Sequence, residues 1–181
     1  MAAAANPADD PGKLATIDFE ASCFPSRGRS FPIEAGLCRV ADGFTASWLI
    51  RPTAEWLTWD WDPGAEATHG ISLDEALRRG RPVDEVVREM AAFTAGLTVL
   101  CDSGLDAVWL EALVFAARRG APFRVFPVDP VLKSLTLAAD DLDEARRRAA
   151  LQFPHLHRAG PDARHLAEVI RILSGYDANG I

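Results

Sequence analysis

Leu14-Ala15-Thr16-Ile17-Asp18-Phe19 opens the patterned part of the chain with a short apolar run that reads as a β-strand, and Glu20 follows it. Side chains alternate across a strand. Asp18 and Glu20 therefore share one face, and Ile17 and Phe19 take the other. A central strand in a helix-covered sheet should be apolar on both faces. Two carboxylates on one face are costly unless something cationic compensates them, and a metal ion is the obvious compensator. The plainer alternative ends the strand at Phe19 and leaves Glu20 solvated in a loop.

Two β-prone runs come next, Ile33 to Val40 and Phe44 to Ile50, separated by Ala41-Asp42-Gly43. An Asp-Gly pair between such runs predicts an antiparallel hairpin. Glu55 to Pro63 is a loop holding Trp56, Trp59 and Trp61. These rings could stack on unpaired bases or, more simply, pack as a lid over a core edge. Val83, Val86, Val87, Met90 and Ala91 recur at helical spacing, and Gly96 ends that helix. Leu97 to Cys101 reads as a buried strand. Asp106 to Arg119 reads as a helix stopped by Gly120, with Trp109 on its core side. Phe123 to Val128 is a fifth strand. Helices over Asp141 to Leu151 and Pro161 to Leu173 close the chain. A hairpin followed by alternating helices and strands implies an α/β fold, a mixed five-stranded sheet flanked by helices. No linker divides it. The expectation is one domain over residues 13–181 behind a frayed tail over 1–12.

Composition agrees. A chain of 181 residues supports about one domain of ~150 residues. With 49% hydrophobic and 25% charged residues it is neither disordered nor a coiled coil. The net charge of −7 excludes binding nucleic acid through bulk positive charge, so any such role needs a local site. Cys23, Cys38 and Cys101 form no zinc-ligand spacing, and an odd, scattered set reads as reduced thiols in a cytoplasmic compartment. The first residues lack the cationic and apolar regions of a secretory signal. No run approaches the ~18 apolar residues that span a bilayer.

Two more acidic positions stand out. In Val99-Leu100-Cys101-Asp102-Ser103-Gly104-Leu105-Asp106 a strand ends, the chain turns and a helix begins. Asp102 or Ser103 would be the N-cap, and Asp106 would lie in the first turn, where the helix dipole alone would favour it. Carboxyl ends of strands are also where ligands gather in open α/β sheets. In His157-Arg158-Ala159-Gly160-Pro161-Asp162, Gly160-Pro161 marks a helix start with Pro at the first position, Asp162 in the first turn and His157 in the loop before it. A loop His can swing over a site and act as a base.

Together these spots resemble the DEDDh exonuclease family of the ribonuclease-H-like superfamily, which includes polymerase proofreading subunits, ribonuclease T and oligoribonuclease. The first motif, Asp-x-Glu, is matched by Asp18-Phe19-Glu20. The second, His-Asn-x-x-Phe-Asp, is matched by Cys101-Asp102-Ser103-Gly104-Leu105-Asp106 in its final Asp alone. The third, His-x(4)-Asp, is matched by His157 and Asp162. His69-Gly70-Ile71 resembles a short segment that the family carries between the first two motifs. The resemblance spans residues 14–173.

It implies a ribonuclease-H-like domain and a metal-dependent 3′→5′ exonuclease. Single-stranded DNA or RNA would be released from its 3′ end as nucleoside 5′-monophosphates. Asp18, Glu20, Asp106 and Asp162 would hold two Mg²⁺ or Mn²⁺ ions, and a paired-metal site stabilises both the attacking and the leaving oxygen. His157 would be the general base, neutral when it acts, so activity should fall at acid pH. Backbone around Ala21 and Ser22, with His69, Gly70 and Ile71, would meet the terminal nucleotide. Relatives often dimerise, which makes a homodimer part of the expectation. The alternatives are a non-catalytic nucleic-acid-binding or interaction module on the same fold, and a small nucleotide phosphodiesterase. Arg146, Arg147, Arg148, Arg158 and Arg164, with Arg27 and Arg29, are candidate phosphate contacts, or simply a solvated charged surface.

Overall fold

In the computed structural model, residues 10–138 and 140–176 are described. Most of the expected tail lies outside them; Pro11–Lys13 forms one 3₁₀ turn. The strands are β1 (Leu14–Ala21), β2 (Pro32–Arg39), β3 (Thr45–Leu49), β4 (Thr98–Cys101) and β5 (Val125–Pro127). The helices are α1 (Pro63–His69), α2 (Leu73–Arg79), α3 (Val83–Phe93), α4 (Gly104–Ala116), α5 (Asp129–Leu135), α6 (Asp141–Gln152) and α7 (Ala159–Ser174). One sheet orders the strands β3-β2-β1-β4-β5, antiparallel on the hairpin side and parallel from β1 through β5. This is the expected mixed five-stranded sheet.

The alternation read from β1 decides which residue faces which layer. Ile17, Phe19 and Ala21 enter a core with Ile33, Leu37 and residues of α2, α3 and α4. Thr16 lies on the opposite face, where its hydroxyl donates to the Ala163 carbonyl of α7 at 2.5 Å. Asp18 and Glu20 share the Thr16 face by the same period of two. The strand does not stop at Phe19. It runs through Glu20 to Ala21, with a register irregularity between those two, a kind of local kink that re-aims side chains beside sites. Beyond Thr16, β1 has no further pairing with β4.

Helix α7 is docked on β1, β2 and β3 at unusually short range. Gly36 makes this possible. A Cβ there would lie 2.1 Å from the Ala159 carbonyl carbon and 2.4 Å from the Gly160 nitrogen. The helix starts at Ala159, two residues before Pro161, so Pro161 is not its first residue. Glu34 explains the earlier start: its carboxylate accepts from the Ala159 N–H at 3.0 Å.

Three short helices escape the hydrophobic period. α1 is capped by Asp62, which accepts from the Gly64 N–H, and α2 by Ser72, which accepts from the Glu75 N–H. Each of these two, like α5, has only seven residues, too few for a 3.6-residue period to show. α4 ends at Ala116 rather than near Gly120. Arg118, at φ +53°, takes the left-handed position instead. The Trp cluster packs: Trp56 stacks on Phe31 at 5.5 Å, and Trp59 and Trp61 cover the same core. Cys23, Cys38 and Cys101 are free and buried. Among the described residues no helix is long and apolar enough to cross a membrane.

The close approach of α7 gives a test. Gly36→Ala should cost about 1–3 kcal/mol by overpacking, a loss of roughly 3–10 °C in Tm for a domain of this size. Gly120→Ala, which meets nothing within 4 Å, should leave Tm unchanged. Equal melting of both variants would show that α7 is not seated as described.

Candidate active site

Four carboxylates from three segments of the chain meet at the carboxyl end of the central strand. Asp18 and Glu20 come from β1, Asp106 from the first turn of α4 and Asp162 from the first turn of α7. They form two triads that share Asp18. In each, one carboxylate oxygen per residue lies within 4.8 Å of the others. One triad is Asp18, Glu20 and Asp162; the other is Asp18, Asp102 and Asp106.

Their electrostatics are unfavourable as they stand. Burial, then the neighbouring Asp106, Glu20 and Asp162, raises the Asp18 pKa well above the carboxylate range. Burial and Asp162 push Glu20 up to about 8. Burial and Asp102 push Asp106 up to about 7, against backbone hydrogen bonds from Ser103 and Phe19 that pull it down. Asp106 is only 1% exposed, and its Oδ2 has no hydrogen-bond partner. A buried carboxylate oxygen without a donor costs free energy unless something cationic meets it. An all-oxygen, multiply anionic donor set suits a hard divalent cation such as Mg²⁺ or Mn²⁺. The residues present therefore fit a metal.

A cavity of about 460 Å³ opens beside the first triad. Asp18, Glu20, Asp162 and His157 are among its lining residues, with Ala21, Phe24, Arg27, His69 and Trp109. His157 is exposed at φ +50°, a left-handed conformation in which His is enriched among non-glycine residues. Both of its neighbours are pinned. The Leu156 N–H donates to Asp162 Oδ1 at 2.9 Å, and Arg158 makes a two-pronged bond to Glu34 at 2.9 and 2.7 Å. Glu34, 4% exposed on β2, thus holds both Arg158 and the start of α7.

The other histidines fall elsewhere. His165 is buried, its Nδ1 2.7 Å from the Phe153 carbonyl. His155 lies 3.5 Å from Asp162 but borders a different cavity. His69 is 5% exposed at the end of α1; its Nδ1 accepts from the Ile71 N–H, and its Nε2 is buried with no partner. Burial lowers the His69 pKa.

Of the five substrate-contact positions read from the sequence, Ala21 and His69 border the cavity. Ser22 does not: its hydroxyl accepts from the Phe31 N–H just past the paired ends of β1 and β2. Gly70 caps α1 at φ +70°, and Ile71 is core. The arginines are mostly committed. Arg158 binds Glu34, Arg164 stacks on Phe153 at 4.1 Å, Arg29 lies over Trp59 at 4.4 Å, and Arg147 pairs with Glu144. Arg27 faces the cavity beside Asp62 at 3.5 Å. Asp102, Glu34, Phe24 and Asp62 were missed by sequence reasoning. Glu34 left one signal, a carboxylate near the start of an otherwise mostly apolar β-prone run.

No family model matches the sequence, and no curated protein matches it. Solved structures do. A 3′-exonuclease recognising the histone mRNA stem-loop superposes with TM-score 0.68 at 14% identity, over 90% of this chain and 63% of that one. The nuclease domain of 3′hExo, a DEDDh family member bound to rAMP, gives 0.63 at 17% identity, over 90% and 92%. E. coli exonuclease I with a dA16 oligonucleotide gives 0.66 at 13% identity, over 90% and 42%. The fold is that of the DEDDh 3′-exonucleases. The chain spans less than two thirds of the first and third of these proteins, and nearly the whole DEDDh nuclease domain of the second.

The clustered carboxylates set a pH dependence with a definite sign. In metal-free protein, Glu20 and Asp106 titrate above their unfolded values. Their contribution to stability is whole below about pH 4 and is lost as pH rises through 7 and 8. A bound cation requires the ionised forms, so it should rescue most at high pH. The Tm with Mg²⁺ minus the Tm with EDTA should be near zero at pH 5.5. It should reach roughly 5–10 °C at pH 8.5 once Mg²⁺ exceeds its Kd about 100-fold. A difference independent of pH would contradict the cluster.

Proposed function

We propose that this chain is a divalent-metal-dependent 3′→5′ exonuclease that releases nucleoside 5′-monophosphates from single-stranded DNA or RNA. The observation that carries this reading is the convergence of Asp18, Glu20, Asp106 and Asp162, with the unpartnered Asp106 Oδ2, in the fold of DEDDh 3′-exonucleases. The acidic net charge fits a local site rather than a basic surface.

Asp18, Glu20, Asp106 and Asp162 would hold the metal. When bound, it would supply charge stabilisation for the attacking and leaving oxygens of phosphodiester hydrolysis. His157 takes the proton from the water that attacks the terminal phosphorus. The P–O3′ bond breaks, and the leaving oxygen takes up a proton to become the new 3′-hydroxyl. The pinned neighbours of His157 fasten the loop that carries it at the border of the cavity. Ala21 and His69 meet the terminal nucleotide, while Gly70, Ile71 and Ser22 shape the wall behind them. Phe24 and Trp109 offer aromatic faces at the cavity, of the kind on which bases stack. A cavity of about 460 Å³ suits one terminal nucleotide rather than a duplex.

Matched DNA and RNA oligonucleotides, labelled at either end, should shorten stepwise from the 3′ end with Mg²⁺ or Mn²⁺ and stay intact in EDTA. His157→Ala should lower kcat about 10²–10⁴-fold, and Asp18→Asn, which strikes both triads, should abolish turnover. Both variants should retain the wild-type fold in EDTA. Binding without cleavage would instead identify a non-catalytic module. Hydrolysis of a small chromogenic phosphodiester alone would identify a nucleotide phosphodiesterase.

A further inference from the structure

Asp102 brings a fifth carboxylate to the cluster, at the position where the DEDDh pattern carries Asn. It follows β4 directly. Ser103, not Asp102, caps α4, its hydroxyl accepting from the Leu105 N–H at 3.1 Å. Asp102 is therefore free of capping work. It is exposed, and among the described residues no cation of the protein pairs with it. Its carboxylate nevertheless lies within 4.8 Å of those of Asp18 and Asp106.

The amino end of α4 is an insufficient reason for this arrangement. A helix dipole offers roughly half a positive charge, against three formal negative charges here. Nor does it provide a donor to Asp106 Oδ2, which is buried and unpartnered within the triad. Three anionic ligands and an orphaned buried oxygen are what a hard divalent cation would satisfy.

We propose that Asp102 turns Asp18–Asp102–Asp106 into a self-sufficient second cation site, one that fills with Mg²⁺ or Mn²⁺ before any nucleic acid binds. This rests on the metal-dependent reading above and extends it. The first cation takes Asp18, Glu20 and Asp162; the second is held by protein carboxylates rather than by substrate phosphate. Asp18 is common to both, so the two ions would be neighbours.

Mn²⁺ binding to the full chain without nucleic acid tests this, by calorimetry and by electron paramagnetic resonance. The wild type should bind two Mn²⁺ per chain and show the broadened spectrum of a coupled pair. Asp102→Ala should bind one with the affinity of the wild-type first site and give an uncoupled spectrum. Its second site should weaken on the order of tenfold or more, as the lost ligand charge dictates. Asp102→Asn, nearly the same shape, should behave alike. Two ions of unchanged affinity in both variants, or a single ion in the wild type, would overturn the proposal while leaving the exonuclease reading in place. No Mn²⁺ binding in the wild type would overturn both.

Discussion

Negative charge gathered at the carboxyl end of β1 is the constraint around which this molecule is arranged. Asp18 stands in the middle of it, shared by two triads whose other members come from β1 itself, the end of β4, α4 and α7. Among the described residues no Arg or Lys forms an ion pair with these carboxylates: the Arg158 guanidinium is spent on Glu34, and Arg27 leans on Asp62. The fold holds the carboxylates together despite their repulsion, and the raised pKa values of Asp18, Glu20 and Asp106 express the cost. Sites built this way trade stability for function.

What holds the carboxylates together is chiefly the seat of α7. Gly36 removes a side chain that would keep the helix off the sheet, Thr16 ties to Ala163, and Glu34 grips Arg158 and the Ala159 N–H. These contacts deliver Asp162 to Asp18 and leave His157 in a short loop with both neighbours fastened. The candidate base is thus positioned by a half-buried ion pair, between Arg158 and Glu34 of β2, that takes no part in the chemistry proposed for the site. Such a pair is a weak source of net stability, yet removing Arg158 would leave the buried Glu34 carboxylate without its cation. Its use here is geometric.

The sequence made the sheet legible because its strands carry strong local signals: a period of two at Ile17-Asp18-Phe19-Glu20 and an Asp-Gly turn between β2 and β3. The carboxylates were legible for the same reason, since charge on an apolar strand is conspicuous. α1, α2 and α5 were not, because seven residues give too little period, although Asp62 and Ser72 announce two of them as caps. Helix ends also shifted: Glu34, distant in sequence, starts α7 at Ala159, and Arg118 rather than a glycine turns the chain after α4. Asp102 was read as a possible cap because nothing local distinguishes a capping Asp from one that reaches a neighbouring strand. Of the expected substrate-contact positions, Ala21 and His69 border the cavity, while the Ser22 hydroxyl accepts from the Phe31 N–H, Gly70 caps α1 and Ile71 packs in the core. Long-range contacts decide each of these cases, and a single sequence does not display them.

The cation is the part of the account on which the chemistry stands. Anomalous diffraction from crystals soaked in Mn²⁺ examines it most directly. Two peaks about 3.5–4 Å apart, bridged by Asp18 and flanked by Glu20 with Asp162 on one side and Asp106 on the other, are the predicted result. Manganese lodged elsewhere, or carboxylates left bare at saturating metal, would contradict it.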